Sequence, residues 1–204
     1  MQTTKHLTEL AEKGDLDAWF QIGHRMAFGR DFAKSRPWKQ ILTFWKTAAE
    51  GGHVRAMFYL ATCYDNAHGT KQNLRLAFDW YLKAAKAGHK DSQYNIGFFY
   101  STGELVRKNY KKKVYLYELA AKAGLLDAQR DLGYSYFYGK GVTKDERKAV
   151  YWYKKAAAMN DDKALYNLGL CYKYGDGVAL SNRWAKYYFD KASKFKHKDA
   201  KKKL

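Results

Sequence analysis

The chain has 204 residues, of which 47% are hydrophobic and 17% aromatic. This excludes a disordered chain, because disordered segments have too few hydrophobic residues to form a core. The 38 Lys and Arg residues outnumber the 20 Asp and Glu residues, so the formal net charge is +18, and any charge-driven partner must be anionic.

The first fourteen residues are expected to cap the fold. Leu7, Leu10, Ala11 and Gly14 have the spacing of the second half of a helix that ends at a glycine. Residues 1–14 therefore predict a half-repeat that covers the N-terminal end of the core. The segment also contains no apolar core of a signal peptide, and nowhere does the chain approach the roughly eighteen apolar residues of a membrane span.

After this cap the sequence repeats itself about every 36 residues. A small residue opens each unit, and these residues are Ala18, Ala56, Ser92, Ala128, Ala164 and Ala200. The first interval is 38 residues because the loop from Phe32 to Trp38 contains two extra residues, and the others are 36. A fixed period of about 20 to 50 residues is typical of solenoids, in which each unit buries its apolar face against its neighbours.

Each unit is expected to form an antiparallel helix pair. Tyr166, Leu168 and Tyr172 illustrate the apolar stripe of the first helix, and a glycine-containing loop follows. The second helix has small alanines that permit close approach to the first. The sequence thus predicts an all-α, right-handed α/α solenoid of about five 36-residue helix hairpins in a single domain. Its repeats are predicted at 15–52, 53–88, 89–124, 125–160 and 161–196, with a basic C-terminal tail at 197–204.

The best-preserved units show a more specific pattern. From Ala128 to Lys155, and again from Ala164, the chain reads A-x-x-x-L-G, then Y-G-x-G-V, then K-A-x-x-W-Y-x-K-A-A or a variant of it. This resembles the SEL-like repeat family of the tetratricopeptide superfamily over nearly the whole chain. The pattern is less regular at Lys113, where the family prefers Ala, and at Met159-Asn160, where it usually has Ala-Gly. The resemblance implies a helical interaction module, and bacterial members include scaffolds, virulence-associated factors and immunity proteins.

The two cysteines occupy equivalent positions three repeats apart. Cys63 and Cys171 each follow the opening small residue by seven positions, which places them too far apart for a disulfide bond. We expect half-buried structural thiols in a reducing compartment, and hence a cytoplasmic protein.

The basic charge is concentrated toward the C-terminus, where residues 181–204 carry a net +7. Two clusters stand out, with the members Lys111, Lys112 and Lys113, and Lys194, Lys196 and Lys198. They are interpreted as a solvated surface, as a contact for an acidic protein, or as a nonspecific contact for nucleic acid or another anionic surface.

The sequence predicts neither catalysis nor a cofactor or metal. His53 and His89 occupy the same turn position in successive repeats and are interpreted as structural. The glycine loops near 139–141 and 175–177 lack the preceding strand and the Lys-Ser/Thr ending of a phosphate loop. Asp145 and Asp161 are expected to cap helices.

A groove lined by the first helices is the predicted binding site. The residues three and six positions after the opening small residue share one flank of the apolar stripe, and their identity varies along the array. The predicted groove residues are Gln21, His24, Tyr59, Asn95, Phe98, Asp131, Tyr134 and Asn167. Asn and Asp can bond a ligand's backbone, and Phe98 and Tyr134 are suitable aromatic anchors. The alternative is that these aromatic residues only pack between repeats.

The predicted function is therefore non-enzymatic binding of an acidic protein partner in this groove, as in a bacterial immunity protein, an antitoxin or a virulence-associated adaptor. The alternative is nonspecific binding of nucleic acid or an anionic surface by the lysine clusters.

Overall fold

The computed structural model describes residues 3–29, 36–195 and 197–200. Within these ranges it has eleven α-helices and no β-strand. They are α1 Thr4–Glu12, α2 Leu16–Phe28, α3 Trp38–Glu50, α4 Val54–Asp65, α5 Leu74–Lys86, α6 Lys90–Thr102, α7 Tyr110–Lys122, α8 Leu126–Tyr138, α9 Glu146–Ala158, α10 Asp162–Tyr174 and α11 Asn182–Lys194. The predicted all-α fold of helix-hairpin repeats is confirmed. Residues 30–35 lie outside the described ranges. The loop at 32–38, which contains the two extra residues, is therefore described only from residue 36.

The helices group into two compact units. Residues 1–96 form the N-terminal unit and residues 97–204 the C-terminal unit, and the boundary falls inside α6. In the N-terminal unit, α1 packs on α2, and the hairpins α2/α3 and α4/α5 pack on each other. In the C-terminal unit, the hairpins α8/α9 and α10/α11 follow α7 in the same way.

The helices begin where a polar side chain can cap them. Asp161 accepts a hydrogen bond from the Ala164 N–H at 2.7 Å, and Asp145 accepts one from the Lys148 N–H at 2.9 Å. Both capping predictions are confirmed. Hydrogen bonding to backbone N–H groups lowers the pKa of Asp145 below its ordinary value. His53 and His89 cap α4 and α6 through their Nδ1 atoms, so their turn position has a definite structural role.

In four of the five described hairpins, an aromatic ring lies over a glycine of the facing helix; α4/α5 has Ala61 at the glycine position. In α8/α9, a Cβ added at Gly133 would lie 2.7 Å from the Tyr153 ring. The Tyr153 side chain is almost completely buried, and burial raises its pKa well above the ordinary value. The same arrangement joins Gly97 to Tyr117, Gly169 to Phe189 and Gly23 to Trp45. The glycine of the repeat pattern is therefore required by close helix packing.

Successive repeats are linked by the residue that caps the first helix. The ring of His53 stacks on Phe20 of the preceding repeat at 4.7 Å, and His89 stacks on Phe58 at the same distance. We refer to these two contacts as cap–aromatic links. In the C-terminal unit the ring of His197, which follows α11, stacks on Tyr166 at 4.3 Å.

One such link is replaced by an ion pair. Arg130 takes the aromatic position, and its Nη1 atom lies 3.1 Å from Oδ2 of Asp161, which takes the cap position. Arg130 also pairs with Asp127 at 2.7 Å and with Asp131 at 2.9 Å. Although burial opposes the charged form, these carboxylates raise the pKa of Arg130 above its ordinary value.

The hairpin loops lie against the preceding repeat through a second set of glycines. Gly141 and Gly177 have φ values of 81° and 70°, in the left-handed region that favours glycine. A Cβ on Gly141 would collide with the backbone carbonyl of Tyr110, and one on Gly177 with that of Glu146. Each loop therefore approaches the start of the preceding second helix closely enough to exclude any side chain.

The cysteines differ from the expectation. Cys63 and Cys171 are completely buried rather than half-buried, and both are free thiols. Burial raises the pKa of each to about 12. The difference arises because both side chains are enclosed in the hairpin core together with its hydrophobic residues.

Candidate functional site

A first cleft lies on the N-terminal unit, along α2. It has a volume of about 370 Å³ and is lined by Asp17, Phe20, Gln21, His24, Arg25 and Arg55. Two of the predicted groove residues, Gln21 and His24, are thus brought together. Burial, together with nearby Arg55, lowers the pKa of His24, so this imidazole is neutral at pH 7 and can both donate and accept hydrogen bonds.

Tyr59 and Asn95 are also in the N-terminal unit but contribute to packing. The Tyr59 ring lies 5.7 Å from that of His24 and stacks on Trp45 at 4.8 Å. Asn95 forms a side-chain hydrogen bond with Tyr81. The contacts of Tyr59 and Asn95 therefore agree with the alternative interpretation, in which residues at the groove positions pack between repeats.

A second cleft lies on the C-terminal unit, between the first helices α8 and α10. It has a volume of about 540 Å³ and is lined by Arg130, Asp131, Tyr134, Lys163, Tyr166, Asn167, His197 and Asp199. Three predicted groove residues, Asp131, Tyr134 and Asn167, therefore face one open space. Asp131 and Asn167 stand three positions, and Tyr134 six positions, after the small residue of their repeats.

The groups in the second cleft differ in their freedom to bind. Arg130 is held by three carboxylates, so its charge is already neutralised. Tyr134 is 38% exposed, and its hydroxyl accepts a hydrogen bond from Lys140 Nζ at 3.1 Å. Asn167 lies in the middle of α10 and lines the cleft. Tyr134 and Asn167 are therefore the side chains best placed to contact a ligand.

Phe98 belongs to neither cleft. Its ring is 51% exposed near the middle of α6, so packing does not account for its type. An exposed aromatic ring remains available as an anchor for a partner.

The basic clusters are only partly surface features. Lys111, Lys112, Lys194 and Lys198 are exposed, as expected, whereas Lys196 lies outside the described residues. Lys113 differs from the expectation, since it is only 8% exposed. Its ammonium group lies 3.3 Å from Ser135 Oγ and 4.8 Å from the centre of the Tyr117 ring. Its alkyl stem occupies the core position where the pattern has alanine.

Burial, as the largest effect, lowers the pKa of Lys113 below its ordinary value. Lys113 is thus part of the hairpin interior, and the cluster that it was assigned to consists of Lys111 and Lys112.

The described residues offer neither a grouped set of metal ligands nor a membrane-spanning helix. Among the described residues, no three His, Cys, Asp or Glu side chains are grouped in a way that could hold a metal ion. Over the same ranges, no helix has both the length and the apolar character needed to cross a bilayer.

Comparison with protein families identifies the repeats. The model of the Sel1 repeat matches residues 54–89, 90–125, 126–161 and 162–194. No curated protein sequence matches the chain at a significant level.

Several solved structures are similar to this one. A protective antigen of uropathogenic Escherichia coli with an SLR fold is 30% identical over 96% of this chain, with a TM-score of 0.89, and the chain spans 41% of that antigen's length. A Sel1 repeat protein from Oxalobacter formigenes is 28% identical over 98% of this chain and 82% of its own, with a TM-score of 0.87. An immunity protein of Pseudomonas aeruginosa is 23% identical over 91% of this chain and 66% of its own, with a TM-score of 0.56, and shares the fold.

The repeat match covers well over half of the chain, and the helix pairs have the geometry that the repeat pattern requires. The chain therefore belongs to the Sel1 repeat family.

Proposed function

We propose that this protein is a non-enzymatic interaction module that binds an acidic protein partner through its clefts. Proteins with Sel1 repeats mediate protein–protein interactions and generally act as scaffolds. The observation that carries the proposal is the second cleft, in which Asp131, Tyr134 and Asn167 face a common open space. Tyrosine supplies rigid contact area, and Asn and Asp side chains can bond the backbone of a bound segment.

The proposed acidity of the partner follows from charge. Residues 97–204 contain 24 Lys and Arg against 11 Asp and Glu, a net charge of +13 out of +18 for the chain. Such a field attracts acidic proteins and raises their association rate. The lining of the second cleft is itself balanced, with Arg130 and Lys163 against Asp131 and Asp199. In this proposal the surrounding surface steers the partner, and the cleft supplies the specific contacts.

The biological role proposed for the module is that of a cytoplasmic bacterial immunity protein, an antitoxin or a virulence-associated adaptor. This rests on the resemblance to Sel1 repeat proteins. The likeness to the immunity protein of P. aeruginosa concerns the fold alone.

Affinity capture with matched variants tests the cleft. Wild-type protein, Tyr134→Ala, Asn167→Ala and Phe98→Ala would be immobilised and exposed to nuclease-treated lysate of the native cell at moderate salt. Tyr174→Ala serves as a control, because its ring is exposed at the end of α10, outside the cleft. We expect one acidic protein to be captured stoichiometrically by wild type and control, and much less of it by Tyr134→Ala and Asn167→Ala.

Two results would contradict the proposal. Equal capture by the cleft variants would show that the partner uses another face. Capture that occurs only when the nuclease is omitted, or that falls steeply between about 50 and 200 mM salt, would indicate polyanion binding by charge alone.

A further inference from the structure

Three exposed tyrosines occupy the same position in three successive second helices of the C-terminal unit. Tyr115 in α7, Tyr151 in α9 and Tyr187 in α11 are 36 residues apart, and they are 63%, 52% and 48% exposed. Four residues before each tyrosine stands a basic residue, namely Lys111, Arg147 and Arg183. We call these six residues the tyrosine–cation row.

The row lies on the solvent face of its helices. In α9, the buried residues are Ala149, Val150, Tyr153, Ala156 and Ala157. At about 100° per residue, Tyr151 points nearly opposite to Ala149 and Tyr153. Arg147 lies one turn before it on the same face. The equivalent positions in α7 and α11 have the same relation to their own buried residues, so hairpin packing does not require a tyrosine at any of the three.

The cations of the row are not neutralised within the fold. Among the described residues, no ion pair involves Lys111, Arg147 or Arg183. The equivalent positions of α5 in the N-terminal unit hold Arg75 and Asp79, whose Nε and Oδ2 atoms form an ion pair at 3.4 Å. In α5 these two positions carry opposite charges that neutralise each other. In α7, α9 and α11 the same two positions hold a basic residue and a tyrosine.

We propose that the tyrosine–cation row binds single-stranded nucleic acid, with bases stacked on the tyrosine rings and phosphates paired with the cations. Alternation of exposed aromatic rings with basic side chains is the chemistry that recognises single strands without sequence preference. Further cations border the row. Lys155 Nζ, for example, lies 5.6 Å from the centre of the Tyr151 ring and can pair with a phosphate of a strand stacked there.

The composition of the row argues against a lipid bilayer as occupant. A helix that lies on a membrane presents a continuous apolar stripe to the acyl chains. In α9, Tyr151 is instead surrounded by Arg147, Lys148, Lys154 and Lys155. Duplex DNA keeps its bases stacked inside the helix, so the tyrosine rings would have no base to contact. The inference concerns a surface separate from the second cleft and does not depend on the proposed protein partner.

Fluorescence anisotropy with the full chain tests the proposal. The probe is a labelled oligothymidylate of about 20 nucleotides, compared with a duplex of equal length. Three combined variants are needed: Tyr115→Ala/Tyr151→Ala/Tyr187→Ala, the same three positions changed to Phe, and Lys111→Gln/Arg147→Gln/Arg183→Gln. The control is Arg75→Gln/Asp79→Ala, which changes the equivalent positions of α5 without changing the net charge.

The expected results separate stacking from charge. The three alanines should weaken binding of the single strand at least about tenfold, while the three phenylalanines, which keep the rings, should stay within about twofold of wild type. The glutamine variant should reduce the slope of log K against log salt by about 2, at roughly 0.7 per phosphate contact. The α5 control should bind as wild type does.

Four results would overturn the proposal. These are failure of the wild type to bind the oligothymidylate at low salt, equal affinity for the duplex, and an alanine variant that binds as tightly as the phenylalanine variant. The fourth is competition by polyglutamate or by phosphatidylserine vesicles that matches competition by unlabelled oligothymidylate at equal charge. It would assign the row to acidic proteins or to membranes. None of these outcomes would change the expected loss of partner capture by Tyr134→Ala, so the failure of one proposal can be told apart from the failure of the other.

Discussion

Substitution of Asp161 separates the two roles that its carboxylate performs. Oδ1 accepts the Ala164 N–H at 2.7 Å and caps α10, while Oδ2 lies 3.1 Å from Nη1 of Arg130 in the preceding repeat. Asp161→Asn keeps an oxygen for the cap but removes the charge, whereas Asp161→Ala removes both. The residue is only 7% exposed, so solvent screens neither interaction strongly.

The expected magnitudes follow from these contacts. A lost N-cap costs about 1 kcal/mol of unfolding free energy. A lost charge-assisted hydrogen bond costs about 1.5 to 3 kcal/mol, and we take the lower value because Arg130 keeps Asp127 and Asp131 as partners. Asp161→Asn should therefore destabilise by about 1.5 kcal/mol and Asp161→Ala by about 2.5 kcal/mol.

Urea unfolding followed by circular dichroism at pH 7 measures both values, provided that the m-value stays constant. Asp127→Asn is the matched control, since Asp127 pairs with the same arginine but its side chain is 51% exposed. It should cost less than about 1 kcal/mol. Equal losses for Asp161→Asn and Asp161→Ala would refute the capping role, and an unchanged stability for Asp161→Asn would refute the inter-repeat link.

Three further predictions concern the core and the caps. Gly133→Val should lower the melting temperature by about 2 to 12 °C, because its Cβ would collide with the Tyr153 ring and overpacking costs about 1 to 3 kcal/mol; an unchanged melting temperature in a thermal scan would contradict this packing. Burial lowers the pKa of His89, so folding disfavours its protonation. Stability should be complete above pH of about 6.5, the ordinary histidine value, and should decline as the pH falls from there toward the lowered pKa. His89→Asn retains the cap and should flatten this decline in urea midpoints measured from pH 7.5 to about 5.5; an equally steep decline in the variant would exclude His89 as its source. Cys63 and Cys171, with pKa values raised to about 12 by burial, should react with a thiol reagent far more slowly in the native protein than in urea, and comparable rates would show that the hairpins open readily.

Periodicity accounts for what could be predicted from the sequence. The 36-residue period determines which residues share a face, so the helix-hairpin fold follows from spacing. Asp131, Tyr134 and Asn167 line one cleft, whereas Asn95 and Phe98, at the same spacing in their repeat, line neither cleft, so the cleft also depends on the neighbouring side chains. The role of the histidine caps could not be predicted, because it depends on the residue at which each helix begins and on the ring that lies against it in the preceding repeat.

Lys113 and the tyrosine–cation row show two other limits. The sequence predicts Lys113 at the surface because a charged residue is usually solvated, yet its long alkyl stem replaces an alanine in the core. The row lies on the second helices, whereas the predicted groove residues all lie on the first helices. The exposed tyrosines at 115, 151 and 187 were present in the sequence at the same period and could have been found by the same alignment of the second helices.

The cap–aromatic links have a consequence for how the protein is made. In each link, the ring belongs to the earlier repeat and the capping residue to the later one, as with Phe20 and His53 or Phe58 and His89. During synthesis the ring is therefore already in place when the capping residue leaves the ribosome. Within each unit, a folded repeat therefore presents a ring against which the capping residue of the next helix can pack. Folding can thus proceed repeat by repeat in the direction of translation. The same polarity means that truncation from the C-terminus leaves a ring exposed, whereas truncation from the N-terminus leaves a cap that still serves its own helix.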